Sequence, residues 1–144
     1  MNKLTPYERK VNYYETDKMA IVHHSNYIRI FEEARVHYLA EAGMPFDEVE
    51  KLGILMPCLS VNVNYKHPLV FNEPFAVYLK IDSFNGTTIK ISYKVISRRS
   101  GELCADGSSS HCFTNTELKP LRTRHSHPEF YEKLAQYLGL DFDI

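Results

Sequence analysis

One long amphipathic segment, from about Ser25 to Ala42, limits the folds open to this chain more than any other feature. Its apolar side chains recur at steps of three and four residues, which is the spacing of one face of an α-helix. They are Tyr27, Ile30, Phe31, Ala34, Tyr38 and Ala42. The other face is predicted to carry Arg29, Glu32, Glu33 and Arg35. Ser25 is a suitable N-cap and Gly43 a suitable stop, so the helix is bounded and needs an apolar covering surface.

Four strand-like segments follow the helix and supply such a surface. They are residues 59–65, 75–81, 88–96 and 102–116. The first three alternate apolar and polar side chains, which is typical of strands with one buried face. Asn85-Gly86 is a strong turn signal between two of them. The last segment alternates less clearly, because Gly107 and three serines dilute its pattern.

Two shorter helices and one further strand complete the predicted elements. The strand is expected at residues 8–14, and a helix at Pro45–Gly53. Ser126 and Glu129 form a capping-box pattern ahead of a C-terminal helix. This order, with tight turns between the later strands, predicts an α+β fold in which an antiparallel sheet wraps around the central helix. We expect residues 1–144 to form a single domain.

Composition excludes several classes of function. The formal net charge of -1 gives the chain no overall attraction to nucleic acid, and no apolar run is long enough for a membrane span. The N-terminus lacks the apolar core of a signal peptide. The odd number of cysteines (Cys58, Cys104, Cys112) fits reduced, buried thiols better than disulfides or a zinc site. A cytoplasmic location is therefore expected.

The segment between the first strand and the central helix carries the main candidates for chemistry. Asp17 precedes two adjacent histidines, His23 and His24, and the helix begins directly after them. Free backbone N–H groups at a helix N-terminus bind anions or developing oxyanions. Asp17 is then either a capping or solvated acid, which is commoner on spacing alone, or the carboxylate of an acyl-transfer site for a thioester.

Other chemical signals in the chain are weaker. Adjacent histidines in a loop chelate poorly, and no metal motif accompanies His23 and His24, so no metal is predicted. The chain has no GxSxG nucleophile elbow and no glycine-rich phosphate loop. Basic side chains near predicted turns could hold phosphates, although such residues are usually only solvated. They are Arg98, Arg99, Arg122, Arg124, His125 and His127.

The segment ETDKMAIVHHSNYIRIFEEAR, residues 15–35, resembles the hallmark segment of hotdog-fold acyl-CoA thioesterases of the 4-hydroxybenzoyl-CoA thioesterase type. Asp17 falls on the catalytic aspartate of that family, His24 on its histidine, and Tyr27 also matches. A second block, GILMPCLSVNVNYKHPL, is similar to the family's Gly-x-x-x-Pro stretch and the strand after it. The likeness covers roughly residues 7 to 118, and it implies the hotdog fold.

The resemblance also implies an activity, which is hydrolysis of a small or medium acyl-CoA. Asp17 would attack as a nucleophile or activate water, and the backbone N–H near His24 would polarise the thioester carbonyl. Tyr27, Arg98 and Arg99 are the candidates for binding the substrate. Neither a metal nor an organic cofactor is expected.

The resemblance further implies a homodimer or homotetramer, with the active site between two protomers and the paired sheets forming one surface. The partner would be an acyl-CoA or an acyl-carrier-protein thioester. Two departures, Ala20 for a usual glycine and His23 for a frequent tyrosine, leave a non-catalytic acyl-thioester-binding or regulatory module as the alternative. Glu15, in place of the first acid of the motif, is a milder change.

Overall fold

The computed structural model describes residues 4–144 and contains one five-stranded antiparallel sheet. The strands are β1 (Tyr7–Lys10), β2 (Cys58–Tyr65), β3 (Pro74–Phe84), β4 (Thr88–Ser97) and β5 (Leu103–Cys112). Their order across the sheet is β1-β3-β4-β5-β2, so β1 and β2 form its two edges. The predicted α+β class and antiparallel sheet are confirmed.

Four helices accompany the sheet in the described part of the chain. They are α1 (Asn26–Glu41), α2 (Phe46–Lys51), α3 (Thr123–Ser126) and α4 (Pro128–Ala135). The prediction of a long helix after residue 25 is confirmed, with Ser25 at the N-cap position. The predicted capping box is wrong: Ser126 ends α3, its hydroxyl bonds to Nδ1 of His127, and Pro128 begins α4.

The first strand is also shorter than predicted. β1 ends at Lys10, and Tyr13–Glu15 forms a single 3-10 turn instead of continuing the strand. The carboxylate of Glu15 accepts the N–H of Asn12 at 2.8 Å, which closes the turn. Alternation around Val11 was therefore not enough to extend the strand, because a side-chain acceptor three residues on captured the backbone.

Helix α1 packs its apolar stripe against the sheet, as the periodicity predicted. Ile30, Phe31 and Ala34 are completely buried. The Phe31 ring stacks on Tyr93 of β4, with ring centroids 4.2 Å apart. Arg35 departs from the prediction, because it reaches the sheet and donates to the Tyr93 hydroxyl instead of lying on the polar face.

Gly107 is what allows α1 to approach β5 closely. A Cβ at this position would lie 2.9 Å from Cε2 of Phe31 and 2.2 Å from the carbonyl oxygen of Asn62. Neither distance is compatible with a real Cβ atom. The residue that weakens the strand pattern in the sequence is therefore required by helix packing.

Edge strand β2 is much less covered than the other long strands. Val61 and Tyr65 lie on the same face as Val63, which pairs with Gly107 under α1. Nevertheless Val61 is 37% exposed and Tyr65 51% exposed. The face of β2 that looks toward the central helix is thus only partly covered within one chain.

The cysteine prediction holds in part. All three thiols are free, and Cys104 is buried. Cys58 is exposed and Cys112 half-buried, so the expectation of burial is wrong for these two, which lie at the ends of β2 and β5. Among the helices formed by residues 4–144, none has the length and apolar character needed to cross a membrane.

Candidate active site

Asp17 lies in a tight hairpin between β1 and α1. Thr16 pairs with Val22, the Asp17 N–H donates to the carbonyl of Ile21, and the His23 N–H donates to the carbonyl of Glu15. The two arms of residues 15–23 therefore run antiparallel and turn at residues 17–20. This hairpin returns the chain from Asp17 directly to the start of α1.

The hairpin turns through Ala20, which has a φ of 63°. The Ala20 N–H donates to the carbonyl of Asp17 at 2.9 Å, closing the turn before this left-handed residue. Such a position favours glycine, because a Cβ there crowds the following carbonyl. The backbone conformation thus explains why the family that the sequence resembles usually has glycine here. Ala20 adopts the left-handed conformation at a cost in strain.

The Asp17 carboxylate is half-buried and oriented by the turn. Its Oδ1 accepts the N–H of Met19 at 2.8 Å. Oδ2 has no hydrogen-bond partner within residues 4–144. One oxygen is therefore held in place while the other is available to a ligand or water.

The start of α1 presents a backbone donor close to this hairpin. The N–H groups of Asn26 and Tyr27 donate back to the carbonyls of His23 and His24, and the Ser25 N–H donates to Nδ1 of His23. The His24 N–H has no such partner in the described residues. Together with the partial positive charge of a helix N-terminus, it suits an anionic oxygen.

Tyr65 of β2 joins this helix start to the edge of the sheet. Its hydroxyl donates to the carbonyl oxygen of His24 at 3.0 Å, and its ring meets that of Tyr27 edge-on at 5.3 Å. The ring of Tyr27 is buried, and this burial raises the pKa of its phenol. Sequence reasoning did not identify Tyr65 as a site residue, because its partner His24 is 41 residues away in the chain.

A largely buried ion pair between Arg9 and Glu15 anchors the first arm of the hairpin. Arg9 donates to both carboxylate oxygens of Glu15 at 2.7 Å and also to Glu33 of α1. Burial alone would raise the pKa of Glu15, but the hydrogen bonds from Arg9 and the Asn12 N–H outweigh it and lower that pKa. The carbonyl of Glu15 also accepts a hydrogen bond from the side-chain amide of Asn26, so Glu15 fixes the Asp17 hairpin against the helix.

The predicted phosphate contacts lie at two different ends of the sheet. The backbone N–H of Arg98 donates to the carbonyl of Pro74. Val70, four residues before Pro74, pairs with Ile21 of the hairpin. Arg98 and Arg99 are therefore at the Asp17 end. Arg98 is already paired with Glu8 at 2.6 Å, whereas no hydrogen bond or ion pair involves the Arg99 side chain within residues 4–144.

The C-terminal group of basic residues is not brought to the hairpin. Thr123, beside Arg122 and Arg124, donates to the carbonyl of Gly86 at the other end of β4. That strand has 10 residues, a length of about 30 Å. Within one chain, Arg122, Arg124, His125 and His127 therefore lie away from the Asp17 hairpin, and their phosphate role stays a prediction.

The sequence is similar to one protein family and to several individual proteins whose descriptions agree with one another. A family model described as the thioesterase-like superfamily matches residues 11–136. YneP of Bacillus subtilis (strain 168), provisionally designated an acyl-CoA thioesterase, is 35% identical over 130 residues, covering 88% of this chain and 94% of the relative. A provisionally designated esterase of Aquifex aeolicus (strain VF5) is 37% identical over 106 residues, covering 74% and 81%.

Solved structures resemble the fold over nearly the whole chain. The DHNA-CoA thioesterase from Staphylococcus aureus superimposes with a TM-score of 0.86 at 29% identity. The alignment covers 92% of this chain and 89% of that one. The hotdog arrangement expected from the sequence is thereby confirmed.

Proposed function

The chain belongs to the thioesterase-like superfamily of thioester hydrolases, and we propose that it hydrolyses the thioester bond of a small or medium acyl-CoA. One observation carries this proposal. The hairpin of residues 15–23 carries the Asp17 carboxylate, whose Oδ2 has no hydrogen-bond partner within residues 4–144, and leads directly to the His24 N–H before the central helix, which has no partner in that range either. A thioester carbonyl needs both groups, an attacking or proton-accepting carboxylate and a donor for its developing oxyanion.

Asp17 is the carboxylate in this proposal, and two routes are open to it. As a general base, it takes a proton from a water that adds to the carbonyl carbon, and the C–S bond then breaks to release the CoA thiolate. As a nucleophile, it forms a mixed anhydride and expels the same thiolate, and water then hydrolyses the anhydride. Both routes give the free carboxylic acid and, after protonation, the thiol.

The oxyanion donor in this proposal is the backbone N–H of His24. Two features support this role. The N–H has no hydrogen-bond acceptor within the described residues, and it lies at the helix N-terminus. The imidazole of His24 contacts that of His23 in a tilted arrangement, with ring centroids 4.0 Å apart, and so helps to fix the backbone. His24 therefore acts mainly through its main chain.

Substrate binding is assigned to Tyr27, Arg98 and Arg99, which remain predictions. The ring of Tyr27 supports Tyr65 and the helix start from the core side. Arg99 is the better contact for a CoA phosphate, because an anion at Arg98 would have to compete with Glu8. Delivery on an acyl-carrier protein would use the same hairpin without the CoA phosphates.

Self-association completes the proposed site. Exposed apolar side chains on edge strand β2 support pairing of two copies along that edge, which would extend the sheet across both protomers. Because Tyr65 of β2 contacts His24, such pairing would bring the second chain next to the helix start. The proposed assembly is a homodimer, or a homotetramer built from two dimers.

The decisive experiment measures thiol release from a panel of acyl-CoAs that varies in chain length and in aromatic or aliphatic character. We expect turnover by the wild-type protein on at least one of them. Asp17→Asn keeps the size of the side chain but removes its charge, so turnover should fall roughly 10²–10⁴-fold if Asp17 is the base. Asp47→Asn, an exposed acid on α2, is the matched control and should leave turnover unchanged.

Thermal melts of both variants establish that they are folded. Equal rates for wild type and a folded Asp17→Asn variant would remove Asp17 from the mechanism. No turnover by the wild-type protein on any thioester would instead favour the alternative, a non-catalytic acyl-thioester-binding or regulatory module. The strained Ala20 in the hairpin is the observation that keeps this alternative open.

A further inference from the structure

A cavity lies at the other end of the central helix from the Asp17 hairpin. It has a volume of about 460 Å³ and is lined by the C-terminal half of α1, strands β3 and β4, and the last residues of the chain. The first α1 residue that lines it is Arg35, ten residues after Ser25, which corresponds to about 15 Å along the helix. This cavity is therefore separate from the proposed hydrolytic site.

The walls of the cavity are mostly aliphatic. Leu39 of α1, Leu79 and Ile81 of β3, Ile91 of β4 and Leu134 of α4 all contribute to the lining. A volume of this size, apolar walls and a few polar groups are the properties of small-molecule sites in proteins. The helix lines the cavity from Arg35 to Ala42, a rise of about 10 Å, which suits an aliphatic chain of medium length.

Arg35 is the inner cation of this cavity. Its side chain is only 16% exposed. It donates to the hydroxyl of Tyr93 at 3.1 Å, and its one ion-pair partner in the described residues, Glu32, is 3.9 Å away and 74% exposed. Such a pair contributes little, so most of the guanidinium's hydrogen-bonding capacity remains for another acceptor.

Three buried side chains hold Arg35 in place from the sheet side. The Tyr93 hydroxyl bonds to the Ser109 hydroxyl at 2.6 Å, and Ser109 bonds to Nε2 of His111 at 2.8 Å. Because Arg35 can only donate to Tyr93, each hydroxyl donates onward and Nε2 of His111 is the final acceptor. The guanidinium is thus a fixed, preorganised cation, not a flexible surface charge.

Unlike Arg35, the charged side chains at the mouth of the cavity lie close to groups of opposite charge. Lys80 is paired with Asp141 at 3.7 Å and lies near Asp82 at 4.0 Å. Phe142 covers the ammonium groups of Lys80 and Lys94, with 5.2 and 4.7 Å to the ring centroid. Asp141 and Asp143 both line the cavity, so its mouth carries charges of both signs, whereas within the described residues Arg35 has only the long, exposed pair with Glu32.

We propose that this cavity binds a medium-chain aliphatic carboxylate, with the chain among the aliphatic walls and the carboxylate on Arg35. Apolar walls favour the chain by removing its surface from water, and a planar guanidinium matches a carboxylate in geometry and charge. The proposal rests on the cavity's own residues and does not depend on the hydrolytic activity. It assigns the chain a second ligand site in addition to the one at Asp17.

The test compares decanoate with decanol, which share the chain but differ in the charged end. The sequence contains no tryptophan, so Phe142→Trp supplies a single fluorescent reporter at the mouth. In this reporter background, decanoate should bind saturably and at least tenfold more tightly than decanol. Arg35→Met keeps an unbranched side chain without the charge, and it should reduce decanoate affinity to the level of decanol.

Two further variants separate this site from others. Ala42→Phe fills the cavity and should weaken binding of both ligands, whereas Asp17→Asn should change neither affinity. Isothermal titration of the protein without the reporter checks that Phe142→Trp has not created the site. If Arg35→Met does not fold, the difference in affinity between decanoate and decanol and the effect of Ala42→Phe still test whether the cavity binds the carboxylate.

Three results would overturn the proposal. They are the absence of saturable decanoate binding, equal affinity of wild type and Arg35→Met for decanoate, and a changed decanoate affinity in Asp17→Asn, which would place the ligand at the hydrolytic site. Loss of thioester hydrolysis with retained decanoate binding would count against the proposed function alone.

Discussion

The hydroxyl of Tyr65 donates a hydrogen bond to the carbonyl oxygen of His24 at 3.0 Å. Tyr65 is the last residue of edge strand β2, and His24 immediately precedes the N-cap of α1. The same carbonyl also accepts the Tyr27 N–H at 3.4 Å. One contact thus connects the edge proposed for pairing with the backbone proposed to bind the oxyanion.

Tyr65→Phe removes this hydrogen bond and keeps the ring. Because the bond is partly exposed, we expect a stability loss of only about 0.5–1 kcal/mol. Turnover should fall more clearly, by roughly 3–10-fold, because a shift of the His24 peptide misplaces the oxyanion donor. Thiol release and thermal melts measure the two effects. The control is Tyr131→Phe on α4, far from the hairpin, and an unchanged kcat in Tyr65→Phe would exclude a positioning role.

Ala20→Gly should stabilise the protein. Ala20 has a φ of 63°, and a left-handed conformation costs a residue with a Cβ about 1–2 kcal/mol, more than the added flexibility of glycine in the unfolded chain. We expect a net gain of about 0.5–1 kcal/mol, measured by denaturant unfolding. The same substitution at exposed Ala40, inside α1, should have the opposite sign and cost about 1 kcal/mol. A destabilised Ala20→Gly protein would contradict the strain assigned to this turn.

His111 should make the stability depend on pH. It is 1% exposed, and its burial, assisted by the charge of Arg35, lowers its pKa to about 4. The unfolded chain binds this proton at about pH 6.5, so stability falls as the pH drops from about 6.5 towards 4. The loss between about pH 7.5 and about pH 5 should be about 2 kcal/mol.

Unfolding titrations at several pH values check this loss, and His111→Gln should remove most of it. His125→Gln, at an exposed position on α3, is the control and should keep the wild-type pH dependence. A direct NMR titration gives an independent result. A pKa of His111 near 6.5 in the folded protein would show that burial does not hold this ring neutral.

Edge strand β2 should mediate association. The wild-type protein is expected to sediment as a dimer or tetramer at micromolar concentration. Placing two charges at exposed positions of this strand, with Leu59→Lys and Val61→Lys together, should shift it toward the monomer and reduce turnover. Leu52→Lys, an exposed apolar position after α2, is the control. A monomeric wild-type protein would remove the second protomer from the proposed site.

The elements that the sequence determined are those with a local repeat. The three- and four-residue spacing of Tyr27, Ile30 and Phe31 predicted α1 and its buried face, and that face is buried. The period-two alternation predicted β2, β3 and β4 closely. These patterns are reliable because helices and strands each repeat over a few residues, so the chain itself records which side faces the core.

The motif around Asp17 was also recognisable in the sequence, but its geometry was not. The spacing of Asp17 and His24 left a capping acid and an acyl-transfer site open. The hairpin that joins them depends on the left-handed φ of Ala20 and on the anchoring of Glu15 by Arg9. Neither the φ of Ala20 nor the Arg9–Glu15 contact can be read from the spacing of residues, because both depend on the three-dimensional course of the backbone.

Only the tertiary structure decided the contacts between distant segments. Gly107 weakened its strand pattern in the sequence, yet the fold requires it because Phe31 of α1 packs directly above it. Arg35 had the spacing of a solvent-facing residue, yet it reaches Tyr93, 58 residues away, and lines the cavity at the C-terminal half of α1. Periodicity specifies which side of an element is apolar, whereas the neighbour that a side chain meets depends on how separate elements pack, and that information is not local in the chain.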